Sequence, residues 1–318
     1  MDGLLDRVAT PGSVLRSFRD GTAQRTLKAA IGCVGVGLHL GCRVNVTLRP
    51  APSGTGIVFH RTDLDVRIPA RFDWVGDTRL STVLACPDQP GARVGTVEHL
   101  MAALAACGVD NAVVEVDGPE IPVLDGSAAP WVFLIDCAGI VSLDADARTV
   151  QVLRAVRVEE GEAFAELRPG TAPCLDMAMS IDFEAPAIGR QALTLMLDEA
   201  AFRNELSAAR TFVQAHEIAG LRAAGLAKGG DLSNAVVVDG TRVLNPAGLR
   251  RPDDFVRHKM LDAVGDLALA GAALQGRFTG HRSGHALNNR LLRTLFADAA
   301  NWCWAETDAD ADWTRAAA

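Results

Sequence analysis

The chain has 318 residues, 49% of them hydrophobic, a formal net charge of −8 and no tyrosine. That length supports one large domain or two ordinary ones with a substantial core, and the acidic balance excludes general nucleic-acid binding, which needs a basic surface. An anionic ligand would therefore depend on a local cluster of positive charge.

Residues 1–23 read as a loose lead-in with a Pro-Gly turn, acidic residues and no apolar run of signal-peptide length. The seven cysteines are scattered, odd in number and never spaced C-x-x-C, which fits isolated reduced thiols. No stretch of 18 apolar residues occurs, so no membrane span is expected, and nothing implies an obligate protein partner. The expectation is a soluble cytoplasmic protein.

From about residue 24 to 85, "RVNVTLRPAP", "TGIVFHRTDL" and "VRIPARFDWV" are alternating runs broken by Pro and Gly, which predicts strands. "TVEHLMAALAAC" predicts a buried helix stopped by Gly108, and "NAVVEVDG" a strand. "AAPWVFLIDCAGI" predicts a helix ending at Gly139. The polar stretch 142–150 reads as a domain boundary, after which the pattern restarts. "VQVLRAVRVEEGEAFAELRP" predicts a hairpin, "CLDMAMSIDF" a strand, 198–224 mostly helix, "AVVVDGTRVLN" a hairpin turning at Asp239-Gly240, and 253–274 a long helix.

Strands followed by helices, twice over, predict an α+β fold of two similar domains, 24–146 and 147–305, with a tail at 306–318. No G-x-G-x-x-G follows a strand and no Walker loop is present, so dinucleotide redox chemistry and nucleotide hydrolysis rank low.

Four places carry unusual polar groups. Glu98 and His99 stand in the first turn of an otherwise apolar helix, where titratable groups seldom go without a partner. His258, Asp262 and Asp266 recur every four residues, on one helix face. That spacing suits a two-ligand metal bite, and it equally suits an exposed face of ion pairs with Arg257 and Lys259. His99 with His258 and Asp262 would complete the three ligands of a catalytic zinc, with Glu98 beside them as a base and Asp266 orienting an imidazole. His99 alone reads as readily as a core histidine with one hydrogen bond. His285, after Gly284, is either an imidazolium beside such a site or a capping residue. Thr211, in "ARTF", either donates to an oxyanion or bonds back to its own helix.

Six segments in register make a more specific pattern: "GVGLHLG", "TLRPAPSGTGIVF", "GTVEHLMAALAACGVDNAVVEVDGPEIPVLDGSAAP", "ARTF", "FVRHKMLDAVGDL" and "SGHALNN". Together they resemble the zinc-dependent UDP-3-O-acyl-N-acetylglucosamine deacetylases, which catalyse the committed step of lipid A synthesis in Gram-negative bacteria. The resemblance runs from about residue 24 to 308. It implies helices sandwiched between two sheets with the site at the domain interface, and one zinc (ferrous iron also suits the ligands) on His99, His258 and Asp262. It further implies Glu98 as general base, His285 as general acid or electrostatic partner, and Thr211 as oxyanion stabiliser. Lys259 and Arg282 would contact substrate, Phe183 would stack on uracil, Phe212 would lie near the sugar, and Asp266 would support the histidine. With Arg257, Lys259 and Arg282 would hold the diphosphate of a UDP-linked acylated glucosamine. Two positions depart from the pattern: Lys228 stands in the segment forming the acyl-chain passage, where an apolar residue is usual, and Ala163 stands where some members carry Lys or Arg.

Overall fold

The computed structural model describes residues 23–305. The sequence-predicted lead-in, apart from Ala23, and the tail from residue 306 lie outside the described residues. Ala23 itself opens a strand, Ala23–Leu27, which pairs antiparallel with Ile140–Asp146.

The first large sheet has five strands in the order Ile31–Val36, Arg43–Pro50, Ala112–Val116, Ile57–Arg61, Val66–Pro69. Its period-two patterning is visible in Arg43–Pro50, where Val44, Val46 and Leu48 are buried while Arg43, Asn45 and Arg49 face outward. The second has seven strands, with Ala273–His281 at its centre. That strand pairs antiparallel with Ala163–Arg168 and parallel with both Thr149–Val152 and Leu175–Asp182.

Among the described residues there are six α-helices, in chain order α1 Glu98–Ala106, α2 Ala129–Ala138, α3 Glu199–Ala201, α4 Ala215–Ala223, α5 Asp254–Ala268 and α6 His285–Ala297. Helices α1 and α5 pack against each other, and α5 also packs on the second sheet through Leu175–Asp182 and Arg190–Leu197. Both helices are covered on nearly all sides: α1 is apolar beyond its first turn, whereas α5 carries Asp254, Arg257, His258, Asp262 and Asp266 into the interior. All but two of the fifteen residues of α5 are buried. Helix α6 keeps one wet face and buries Leu287, Leu291, Leu292 and Leu295. Among the described residues, no helix is long and apolar enough to cross a membrane.

Three sequence expectations need correction. The stretch 142–150 is not structureless: it carries the end of the strand Ile140–Asp146 and the start of Thr149–Val152, which belong to different sheets. The segment 198–224 is not one helix. After α3 it makes a π-helical turn, Phe202–Leu206, passes through a short strand, Phe212–Gln214, and only then enters α4. Finally, the helix predicted for 253–274 ends at Ala268, and Gly271, at φ +78°, turns the chain into the central strand.

Candidate metal centre and active site

The site begins with a close helix crossing. Gly265 of α5 lies against the first turn of α1, where any Cβ would collide with the Glu98 carbonyl oxygen. This approach brings His99 of α1 opposite Asp262 and His258, which share one face of α5. His99 Nε2 lies 3.4 Å and His258 Nε2 3.3 Å from Asp262 Oδ1, and one ligand atom from each residue lies within 4.8 Å of the others.

This donor set fits a divalent ion. Bond lengths of about 2.0–2.2 Å at tetrahedral angles put ligand atoms about 3.3–3.6 Å apart. Asp262 Oδ1 is buried and has no hydrogen-bond donor. Its other oxygen accepts from Lys259 Nζ at 2.9 Å, and His258 Nδ1 donates to the Ala209 carbonyl at 3.4 Å, which turns Nε2 toward the centre. Burial depresses His258 to about 3, keeping the imidazole neutral and able to ligate. Burial alone would raise the Asp262 pKa, but His258 and Lys259 hold it well below the usual carboxylate range.

Beside this triad stand Glu98 and His285, with Oε1 and Nε2 3.9 Å apart. Burial raises the Glu98 pKa. For His285, burial works in the opposite direction, yet the Asp266 and Glu98 carboxylates outweigh it and lift the pKa to about 9. Asp266 accepts from His285 Nδ1 at 2.9 Å and from Asn288 Nδ2 at 2.8 Å. Gly284 is the N-cap of α6, so His285 occupies its first turn.

Thr211 is not in a helix. Its amide donates to the Gly126 carbonyl and its carbonyl accepts from the Val236 amide, both at 2.8 Å, and its side chain lines the same cavity. That cavity, of about 230 Å³, is lined by Glu98, His99, His258, Lys259, Asp262 and His285 together with Thr211, Phe183 and Phe212. It adjoins two others. One is polar and holds Phe183, Gln214, His216, Lys259 and Arg282. The other is largely apolar, formed by Leu38, Leu80, Ile218, Leu221, Leu232 and Val237 among others.

Arg257 does not join the cationic groups, since it is buried in ion pairs with Asp253 and Glu205. Arg282 pairs with Glu162 at 3.0 Å and is half exposed. Lys228 does not face the apolar cavity: its side chain is exposed, and its backbone amide donates to the His39 carbonyl. His281 ends the central strand and shares a 2.8 Å hydrogen bond with Ser180.

The sequence reading missed several groups at this site. His39 has both ring nitrogens buried without a partner and lines the metal cavity; burial lowers its pKa. Glu120 holds that loop by accepting from the backbone amides of His39 and Leu40 at 2.8 and 2.9 Å and from Thr96 Oγ1 at 3.0 Å. Thr82 and Asn288 bind the Asp266 carboxylate. The available signal was composition: a lone His among apolar residues in "GVGLHLG" and a lone Glu between prolines in "GPEIP".

Comparison with known proteins supplies the context for this geometry. Residues 24–297 match the family model LpxC, described as UDP-3-O-acyl N-acetylglycosamine deacetylase. Curated relatives bearing the name UDP-3-O-acyl-N-acetylglucosamine deacetylase come from several bacteria. The one from Phenylobacterium zucineum is 52% identical over 282 residues, covering 88% of this chain and 95% of its own. Those from Idiomarina loihiensis and Chromobacterium violaceum are 50% and 48% identical, covering 88% and 90% of this chain and 91% and 94% of theirs. With a buried two-histidine, one-aspartate centre and a match across most of its length, this chain belongs to the metal-dependent UDP-3-O-acyl-N-acetylglucosamine deacetylase family.

Proposed function

We propose that this chain removes the acetyl group from UDP-3-O-(3-hydroxyacyl)-N-acetylglucosamine, giving acetate and the free amine, the committed step of lipid A biosynthesis. One observation carries the reading. A two-histidine, one-aspartate centre and the Glu98–His285 pair share a single cavity, flanked by an apolar passage and by a polar cleft whose lining includes Lys259 and Arg282 alongside Asp182 and Glu184.

The resident ion is taken to be zinc, held by His99, His258 and Asp262, which would polarise the acetamide carbonyl and acidify water. Glu98 accepts the proton of the attacking water, a task suited to a carboxylate whose pKa burial has raised above the ordinary value. His285, kept protonated by Asp266, donates to the departing amine nitrogen, without which an amine leaves poorly at neutral pH. Thr211 offers its hydroxyl to the developing oxyanion. Lys259 and Arg282 face the diphosphate, Phe183 stacks on uracil and Phe212 lies along the sugar. The acyl chain occupies the apolar cavity, whose lining excludes Lys228. Ala163 brings no cation to this cleft, leaving Arg282 the larger share of that contact. We also take residues 24–146 and 147–305 as two domains with the site between them, a reading supported by Glu98 and His99 lying on α1 in the first segment and His258 and Asp262 on α5 in the second.

The test is acetate release from the UDP-linked substrate by zinc-loaded protein, together with metal analysis of variants. His258→Ala and Asp262→Ala should lose zinc and activity together. Glu98→Ala should keep zinc and lose roughly 10²–10⁴-fold in rate. Metal loss in Glu98→Ala with retention in His258→Ala would reverse these roles.

A further inference from the structure

Thr82 lies in the loop before strand Val83–Cys86, 1% exposed, and uses all three of its polar groups. Its amide donates to Glu98 Oε2 at 3.0 Å, and its hydroxyl donates to Asp266 Oδ1 at 2.6 Å. Its carbonyl accepts from the Val97 amide at 3.4 Å, immediately before α1. Asp266 in turn takes His285 Nδ1 and Asn288 Nδ2 on its other oxygen. One residue thus touches the carboxylate of the proposed base and the carboxylate that orients the proposed acid. The contact spans 184 positions of sequence, from the loop beside α1 to the last turn of α5.

The chemistry of the donors fixes the directions. A backbone amide can only donate, so Glu98 Oε2 is occupied and Oε1 is left facing His285 Nε2 across 3.9 Å. The Thr82 hydroxyl meets a carboxylate oxygen, so it also donates. Asp266 then receives three donors, and the His285 ring presents Nδ1–H to it and Nε2 to the cavity. The left-handed backbone of Leu80, at φ +68°, two residues earlier, is a conformation a branched side chain adopts only when its surroundings impose it.

We propose that Thr82 is a positioning residue which locks Glu98 and His285 into one unit across the helix crossing, so that base and acid keep the separation proton transfer needs. This rests on the functional reading above, in which those two groups handle the protons.

Thr82→Val removes the hydroxyl while keeping the branched shape and the backbone amide, and Thr82→Ser keeps the hydroxyl. With the zinc-loaded protein and the UDP-linked substrate, Thr82→Val should keep full metal content and a KM within about twofold, and lose about 10–100-fold in kcat. Thr82→Ser should recover to within about threefold of the parent. In a His285→Gln background the Val substitution should add little, because its effect passes through His285. The proposal is overturned by a Thr82→Val kcat within twofold of the parent, by equal losses in Val and Ser, or by full additivity with His285→Gln. Glu98→Ala, run alongside, separates the two readings. If it is inactive and Thr82→Val is not, only the role of Thr82 falls; if it is active, both fall.

Discussion

His285 is buried between two carboxylates, and its behaviour with pH follows from that placement. Asp266 bonds its Nδ1 at 2.9 Å, and Glu98 faces its Nε2 at 3.9 Å. Both favour the imidazolium, so the proton is held up to about pH 9. A raised pKa means that the protonated form persists below that value and is lost as the pH climbs through it. If protonated His285 serves the leaving amine, kcat should be level near neutrality and fall on the alkaline side. The fall should come at or below pH 9, since a bound dication repels the same proton. The acid side should report Glu98, whose activity as a base is lost as it gains a proton. A pH profile of kcat for His285→Gln should lack the alkaline fall and run low throughout; persistence of that fall in the variant would assign it to another group. Residue types made part of this arrangement legible beforehand. Histidines and carboxylates in apolar helices, at Glu98, His99, His258 and Asp262, are costly enough to announce themselves. Thr82 and Asn288 are not, because a threonine or asparagine is ordinary on any loop or helix, and only coordinates show what its polar atoms meet.

At the scale of elements, the crossing of α1 and α5 decides whether the ligands meet at all. Contact between two helix backbones needs a residue without a side chain, and Gly265 fills that position against Glu98. Gly265→Ala should therefore act against its favourable helix propensity, destabilising by about 1–3 kcal/mol through overpacking. It should also weaken metal retention, because His99 on α1 moves away from Asp262 on α5. Denaturant midpoint and zinc content of one preparation check both parts. A variant at least as stable as the parent, with full zinc, would show that the crossing tolerates a methyl group. Periodicity placed α1, α2 and most of α5 correctly, since the sequence spells their burial out over several turns. It failed where contacts between distant segments decide. "ALQGRFTGH" continues the apolar character of α5 and carries two glycines, yet it forms the central strand of the second sheet because Ala163–Arg168, Leu175–Asp182 and Thr149–Val152 all pair with it. Likewise Phe212–Gln214 is extended only because Val236–Val238 lies alongside it.

At the scale of the whole molecule, the apolar cavity is closed by a clasp between segments far apart in the chain. The amides of Lys228 and Gly229 donate to the carbonyls of His39 and Leu38 at 3.1 and 3.0 Å. Contact here is backbone to backbone: a Cβ on Gly229 would collide with the Gly37 carbonyl oxygen and approach Val36 Cγ1 at 3.0 Å and Gly41 Cα at 3.2 Å. Leu38 and His39 form wall for both the metal cavity and the apolar one, so displacing the clasp changes the passage while leaving the helix crossing untouched. Gly229→Ala should thus separate binding from chemistry. If the acyl chain lies in this passage, KM for the acylated substrate should rise about tenfold, a cost of about 1.4 kcal/mol, with zinc content intact and kcat within a few-fold. Gly220→Ala serves as the comparison, because Gly220 lies in α4 with nothing within 4 Å of an added Cβ. It should leave KM unchanged and stabilise slightly, as alanine does in an open helix position. Equal KM values for the two variants would mean that the loop moves aside without consequence, and the acyl chain would then have to be placed elsewhere than between these two segments.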